Sequence, residues 1–196
     1  IGFEQLSFGD RYFRFPNFYF NKEITSLMAD KHKNVTNDLA ERKFCSFVYS
    51  NNRADEMRGK LFDKLSEYKK VNSGGRYLNN LPDGKPVENK LKFETNHKFS
   101  IACENASYPG YHTEKLAEAF AAKTVPIYWG DPDVEKVFNS KAFINCNNYA
   151  SIDEIVERVM YLDAHSEEYL EMLRQPALLN YDENEVGEKY AKQKPS

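Results

Sequence analysis

The segment from Cys103 to Lys115 (CENASYPGYHTEK) gathers two carboxylates, an imidazole, an ammonium, two phenols and an amide within one short stretch. It follows the apolar run KFSIAC and precedes an amphipathic run, so it reads as a strand-to-helix loop whose end opens a helix. Such an opening presents free backbone N–H groups and about half a positive charge, a natural seat for an anion. Thr113 is placed to be the N-cap, with Glu114 and Lys115 in the first turn. Glu114 suits the helix dipole there and Lys115 does not. A bound anion would reverse that sign and recruit both Lys115 and the N–H groups; the alternative is a lysine that snorkels to solvent at small cost. Arg58, near the start of an earlier helix, could clamp a diphosphate with its planar fork, or simply be a solvated charge on an amphipathic surface. Ser73-Gly74-Gly75-Arg76 could bring backbone close to a ligand, or be an ordinary turn.

Other groups carry weaker signals. Asp131-Pro132-Asp133 has the Asp-x-Asp form that many sugar transferases use to hold a divalent metal, yet Pro132 reads equally well as turn chemistry. The four histidines, at 32, 97, 112 and 165, share no motif with a cysteine or serine nucleophile. Only His112 falls in a candidate loop. No P-loop, dinucleotide glycine fingerprint or zincin motif occurs.

The elements that must position these groups alternate. Phe44–Ser50 reads as a buried strand, and Met57, Leu61, Phe62, Leu65 and Tyr68 recur at helical spacing. A short strand near Val71 precedes a polar segment running to Asn96. Strands over Lys98–Cys103, Thr124–Trp129 and Ala142–Cys146 follow, with helices over Thr113–Ala122, Ile152–Leu162 and Ser166–Leu173. Residues 1–40 read as a connection containing a possible helix over Ile24–Lys31, residues 41–175 as the main domain, and 176–196 as a helical tail with a helix over Glu183–Lys192. Alternation of this kind predicts α/β architecture: a Rossmann-like, doubly wound parallel sheet with ligands beyond the carboxyl ends of its strands.

Bulk properties narrow the function. The 196 residues suit one main domain, and 27 basic against 30 acidic residues leave a net charge of −3, without the basic excess that duplex nucleic acid would call for. Cys45, Cys103 and Cys146 are too far apart for a zinc pattern and too few for a disulfide framework, which fits a reducing compartment. No stretch approaches the length and apolarity of a membrane span, and no charged-then-apolar leader is present. The opening Ile1-Gly2-Phe3-Glu4 lacks Met, as expected of a cut or processed fragment.

The run CENASYPGYHTEKLAEAFAAKTVPIYWGDPDV resembles the central motif of the α1,3/α1,4-fucosyltransferases, glycosyltransferase family 10. IGFEQLSFGDRYFRFP, FCSFVYSN with Met57-Arg58, VNSGGRYLNN and FNSKAFIN extend the likeness along nearly the whole chain. The resemblance implies one half of a metal-independent GT-B enzyme, the half that holds GDP-fucose, with no cofactor required. It implies that Arg58 and Lys115 neutralise the diphosphate in a positively charged cradle. Glu114 would contact the donor, Asn105 and Tyr111 would line its pocket, and Ser73, Gly74, Gly75 and Arg76 would wall the nucleotide side. It further implies inverting transfer of L-fucose from GDP-β-L-fucose to a GlcNAc or LacNAc-type hydroxyl. The acceptor glycan and the general base belong to an N-terminal half that nothing here matches, so the chain alone is expected to transfer little. The alternatives are a non-catalytic nucleotide-sugar-binding module and a transferase using another GDP-sugar. The expected location is the cytoplasm or inner-membrane periphery of a bacterium, with the Golgi as the alternative.

Overall fold

Apolar runs become strands and amphipathic runs become helices, and the two alternate. The computed structural model describes residues 21–179. Strands β1 (Lys43–Phe47), β2 (Val71–Ser73), β3 (His97–Cys103), β4 (Val125–Trp129) and β5 (Ile144–Asn145) form one sheet. Its order is β2-β1-β3-β4-β5, and every pairing is parallel. Register runs straight across it, with Cys45 opposite both Val71 and Phe99, and Phe99 opposite Val125.

Both faces are covered, as burial of these strands requires. Phe99, Ile101, Val125 and Ile127 pack on one side with Leu61 and Leu65 of helix α2 (Met57–Tyr68), Ile155 and Val159 of α5 (Ile152–Ala164) and Leu170 of α6 (Ser166–Arg174). Ala102 and Tyr128 face the other way, toward Leu116 and Phe120 of α4 (Glu114–Ala121). The three cysteines are free and buried, and burial holds each thiol above its ordinary pKa.

Three regions depart from the sequence reading. The strand expected over Ala142–Cys146 shrinks to Ile144–Asn145, between single 3-10 turns at Ser140–Ala142 and Cys146–Asn148. The polar segment before Asn96 contains a short helix, α3 (Lys90–Glu94), whose N-cap Asn89 accepts the Lys92 N–H at 2.8 Å. Residues 22–31, expected to be mere connection, belong to the core: α1 (Lys22–Ala29) turns Ile24 and Met28, one helical turn apart, onto α4. The proposed helix over Glu183–Lys192 lies outside the described residues, as do residues 1–20 of the first segment and 180–196 of the last.

Lys31 fastens α1 to the core in an unusual way. Its side chain is fully buried, and its ammonium donates to the carbonyls of Met172 and Leu173, both at 3.2 Å, while lying 5.1 Å from the Phe120 ring centroid. Carbonyls at the end of α6 suit a cation, but burial pushes the Lys31 pKa down to about 7. Between about 7 and the unfolded value near 10.4, the unfolded chain holds the proton and the folded chain does not. Stability therefore rises with pH across that window, by at most ~1.4 kcal/mol per unit from this group. Lys31→Met should flatten that part of the slope, measured as the difference from the unaltered chain in urea unfolding at pH 7 and 9. Identical slopes would mean that Lys31 keeps its proton when folded.

Candidate functional site

From β1 the chain moves outward to β2, and from β3 it moves the opposite way to β4. The loops after β1 and β3 therefore part over the carboxyl ends of two neighbouring strands, the switch point where doubly wound sheets bind ligands. Tyr49 fills the gap between them. Its hydroxyl accepts the Cys103 N–H at 2.7 Å and lies 3.0 and 3.1 Å from the Ile101 and Cys103 carbonyls, one of which takes its proton.

Arg58 stands on that platform. It is the second residue of α2, only 2% exposed, with its guanidinium carbon 4.7 Å from the centroid of Tyr49 and 5.8 Å from that of Tyr77. One nitrogen donates to Asn105 Oδ1 at 3.3 Å and another to the Asn51 carbonyl. The Asp55 N–H donates to the Asn105 carbonyl at 3.0 Å, so the two loops are stitched across the switch point. Arg58 is thus no solvated helix charge.

Lys115 is anchored one residue away. Its ammonium lies 3.1 Å from Glu104 Oε2, 3.0 Å from Thr113 Oγ1 and 3.5 Å from Glu114 Oε1, and its side chain is 12% exposed. It does not snorkel. Arg58 and Lys115 are each tied to one of two consecutive residues, Asn105 and Glu104, just beyond the carboxyl end of β3. Thr113 is at the N-cap position of α4, as expected, but its side chain does not cap. Its N–H and hydroxyl both go to Glu104, each at 2.7 Å.

One electrostatic expectation needs correction. Two cations meet two carboxylates, Glu104 and Glu114, so the cradle is charge-balanced rather than positive. Glu114 is 47% exposed. Burial would raise its pKa, but Lys115, the Glu114 backbone N–H, Lys90 and Thr113 together outweigh that and hold the carboxyl below its ordinary value, ionised at neutral pH.

The rest of the loop is pinned to the end of β4. Asp131 accepts the N–H of Gly110 at 2.8 Å and of Asp133 at 2.8 Å, and its second oxygen pairs with His112 Nδ1 at 2.8 Å. Burial would raise the Asp131 pKa; these donors, His112 foremost, hold it down. Both oxygens of Asp131 therefore have a structural task within the Asp-x-Asp triplet, and among the described residues no group of three or more His, Cys, Asp or Glu side chains could hold a metal. Tyr111 stacks on Tyr108 with centroids 4.6 Å apart.

Ser73, Gly74 and Gly75 are buried, and only Arg76 of that quartet is exposed. The Ser73 N–H and hydroxyl are engaged by Asn80 and by the Tyr77 carbonyl. Sequence reasoning missed Tyr49 and Glu104. The signal for Glu104 was its place immediately after β3, in the loop that carries Lys115.

Fold and site together define a doubly wound α/β unit with charged side chains gathered at its switch point. The family model for the C-terminal region of glycosyltransferase family 10 (fucosyltransferase) matches residues 39–189, and the chain belongs to that family. It is 36% identical to the alpha-(1,3)-fucosyltransferase FucT of Helicobacter pylori, over 93% of this chain and 44% of that protein. It is 29% identical to human 3-galactosyl-N-acetylglucosaminide 4-alpha-L-fucosyltransferase FUT3, over 69% of this chain and 37% of that protein. The chain thus spans less than half the length of these relatives. The structure superposes on a crystal structure of an alpha1,3-fucosyltransferase with GDP-fucose at a TM-score of 0.81 and 28% identity, covering 97% of this chain and 68% of that one. The unit is accordingly one Rossmann-like half of the GT-B type. No helix among the described residues is long and apolar enough to cross a membrane.

Proposed function

We propose that this chain binds GDP-β-L-fucose at the β1/β3 switch point and serves the inverting transfer of fucose to a GlcNAc or LacNAc-type glycan hydroxyl, in α1,3 or α1,4 linkage. The observation that carries this is the fastening of Arg58 and Lys115 to consecutive residues at that point, in a chain similar to an enzyme solved with GDP-fucose. On this reading the acceptor oxygen attacks the anomeric carbon as its bond to the diphosphate breaks, through an oxocarbenium-like state. GDP leaves carrying negative charge, which Arg58, Lys115 and the opening turn of α4 stabilise by preorganised electrostatics. Glu114, ionised and half exposed, steadies the positive charge on the sugar. Asn105 holds Arg58 in place and lines the donor pocket with Tyr111, and Arg76 borders the nucleotide side. On this reading Arg58, Lys115 and the opening turn of α4 meet the diphosphate without a metal. The acceptor's proton goes to a general base outside this chain, so the chain alone binds donor and transfers little.

Calorimetric titration with GDP, GDP-fucose, UDP and ADP tests the donor assignment. GDP and GDP-fucose should bind and the other two should not. Lys115→Ala should weaken GDP by ~1–3 kcal/mol through loss of a charge-assisted bond. Absence of guanine-nucleotide binding would overturn the assignment.

A further inference from the structure

Glu104 stands where β3, β4 and α4 meet. Its N–H donates to the Trp129 carbonyl at 2.8 Å, and its side chain has no solvent exposure at all. A carboxylate in that position is costly unless its oxygens are engaged. Here Oε1 accepts the Thr113 N–H, and Oε2 accepts both the Thr113 hydroxyl and the Lys115 ammonium. Gly130 makes the room: a Cβ there would fall 2.5 Å from Glu104 Cγ.

The arrangement fixes Lys115 at the start of α4. The buried carboxylate holds the Lys115 ammonium at 3.1 Å and the Thr113 hydroxyl at 2.7 Å, and that hydroxyl oxygen in turn lies 3.0 Å from the same ammonium. Lys115 itself keeps a side-chain exposure of 12% against 0% for Glu104. We propose that Glu104 is a positioning residue for phosphate recognition, holding Lys115 at the first turn of α4 where the anion binds. This rests on the donor-site reading above.

Glutamine cannot replace Glu104 without loss. Each carboxylate oxygen faces a donor, so the amide NH₂ must oppose one in either orientation. GDP titrations of the unaltered chain, Glu104→Gln, Lys115→Met and the double variant test the idea. Glu104→Gln alone should weaken GDP about 10-fold or more, whereas in the Lys115→Met background it should cost less than about threefold. Thr113→Val, nearly isosteric, carries the same test if Glu104→Gln does not fold. It should weaken GDP several-fold with Lys115 present and much less without it. Unchanged affinity in the single variants, or a loss that persists in full without Lys115, would overturn the proposal while leaving the donor site intact. Failure of the unaltered chain to bind GDP would overturn the donor-site reading and this proposal with it.

Discussion

Replacing Arg58 with alanine should weaken GDP binding by about 100-fold, a larger loss than at any other single position in the site. Two of the five guanidinium donors are used by Asn51 and Asn105, which leaves the rest of the fork for a diphosphate. The flat guanidinium is held over Tyr49 and beside Tyr77, so it is preorganised in the free protein. Two charge-assisted bonds of ~1.5 kcal/mol each give that magnitude. Lysine should not restore it, since a single ammonium cannot reach the Asn51 carbonyl, Asn105 and a phosphate together. The substitution also removes a link between the two switch-point loops, which should cost ~1 kcal/mol in urea unfolding. Titration and unfolding on the same variants separate the two effects. An Arg58→Ala protein that binds GDP as the unaltered chain does would remove Arg58 from the donor site.

Much of this architecture is legible along the chain because hydrophobic period is a local property. Phe44–Ser50 and Lys98–Cys103 read as buried strands and give β1, which ends at Phe47, and β3, while Met57, Leu61 and Leu65 read as one face of a helix and give α2. Their alternation implies parallel pairing and a ligand edge, and the CENASYPGYHTEK motif puts Lys115 at that edge. What stayed hidden depends on partners distant in sequence. Tyr49 looks like one more core ring until β3 arrives beside it with the Cys103 N–H. Glu104 looks like loop polarity until Thr113 and Lys115 fold back over it. The charge balance of the cradle follows from those pairings and not from composition. The core role of α1 stays hidden for the same reason: a helix over Ile24–Lys31 can be read along the chain, but only contact with α4 reveals that Ile24 and Met28 are core.

Gly75→Ala should be the most destabilising small substitution in this unit, by ~3–5 kcal/mol, a large part of the total for a domain of this size. A Cβ at Gly75 would lie 1.9 Å from the Tyr49 carbonyl oxygen and 2.5 Å from the Tyr49 carbon and nitrogen. Those are backbone atoms, so no side-chain rotation relieves the clash. Tyr49 cannot retreat easily either. Its carbonyl accepts the Tyr77 N–H at 2.9 Å, while its hydroxyl is locked onto the end of β3. Any shift that admits the methyl breaks one of these bonds and carries the Tyr49 ring away from Arg58. The variant should therefore lose GDP affinity even where it remains folded. Gly84 provides the control: its φ of +65° favours glycine, but nothing lies within 4 Å of a Cβ built there. Alanine at 84 should cost only ~1 kcal/mol, from backbone strain alone. Urea unfolding of both variants separates close approach from conformational preference. Equal midpoints for the two would mean that the chain after β2 does not pass against Tyr49 as described.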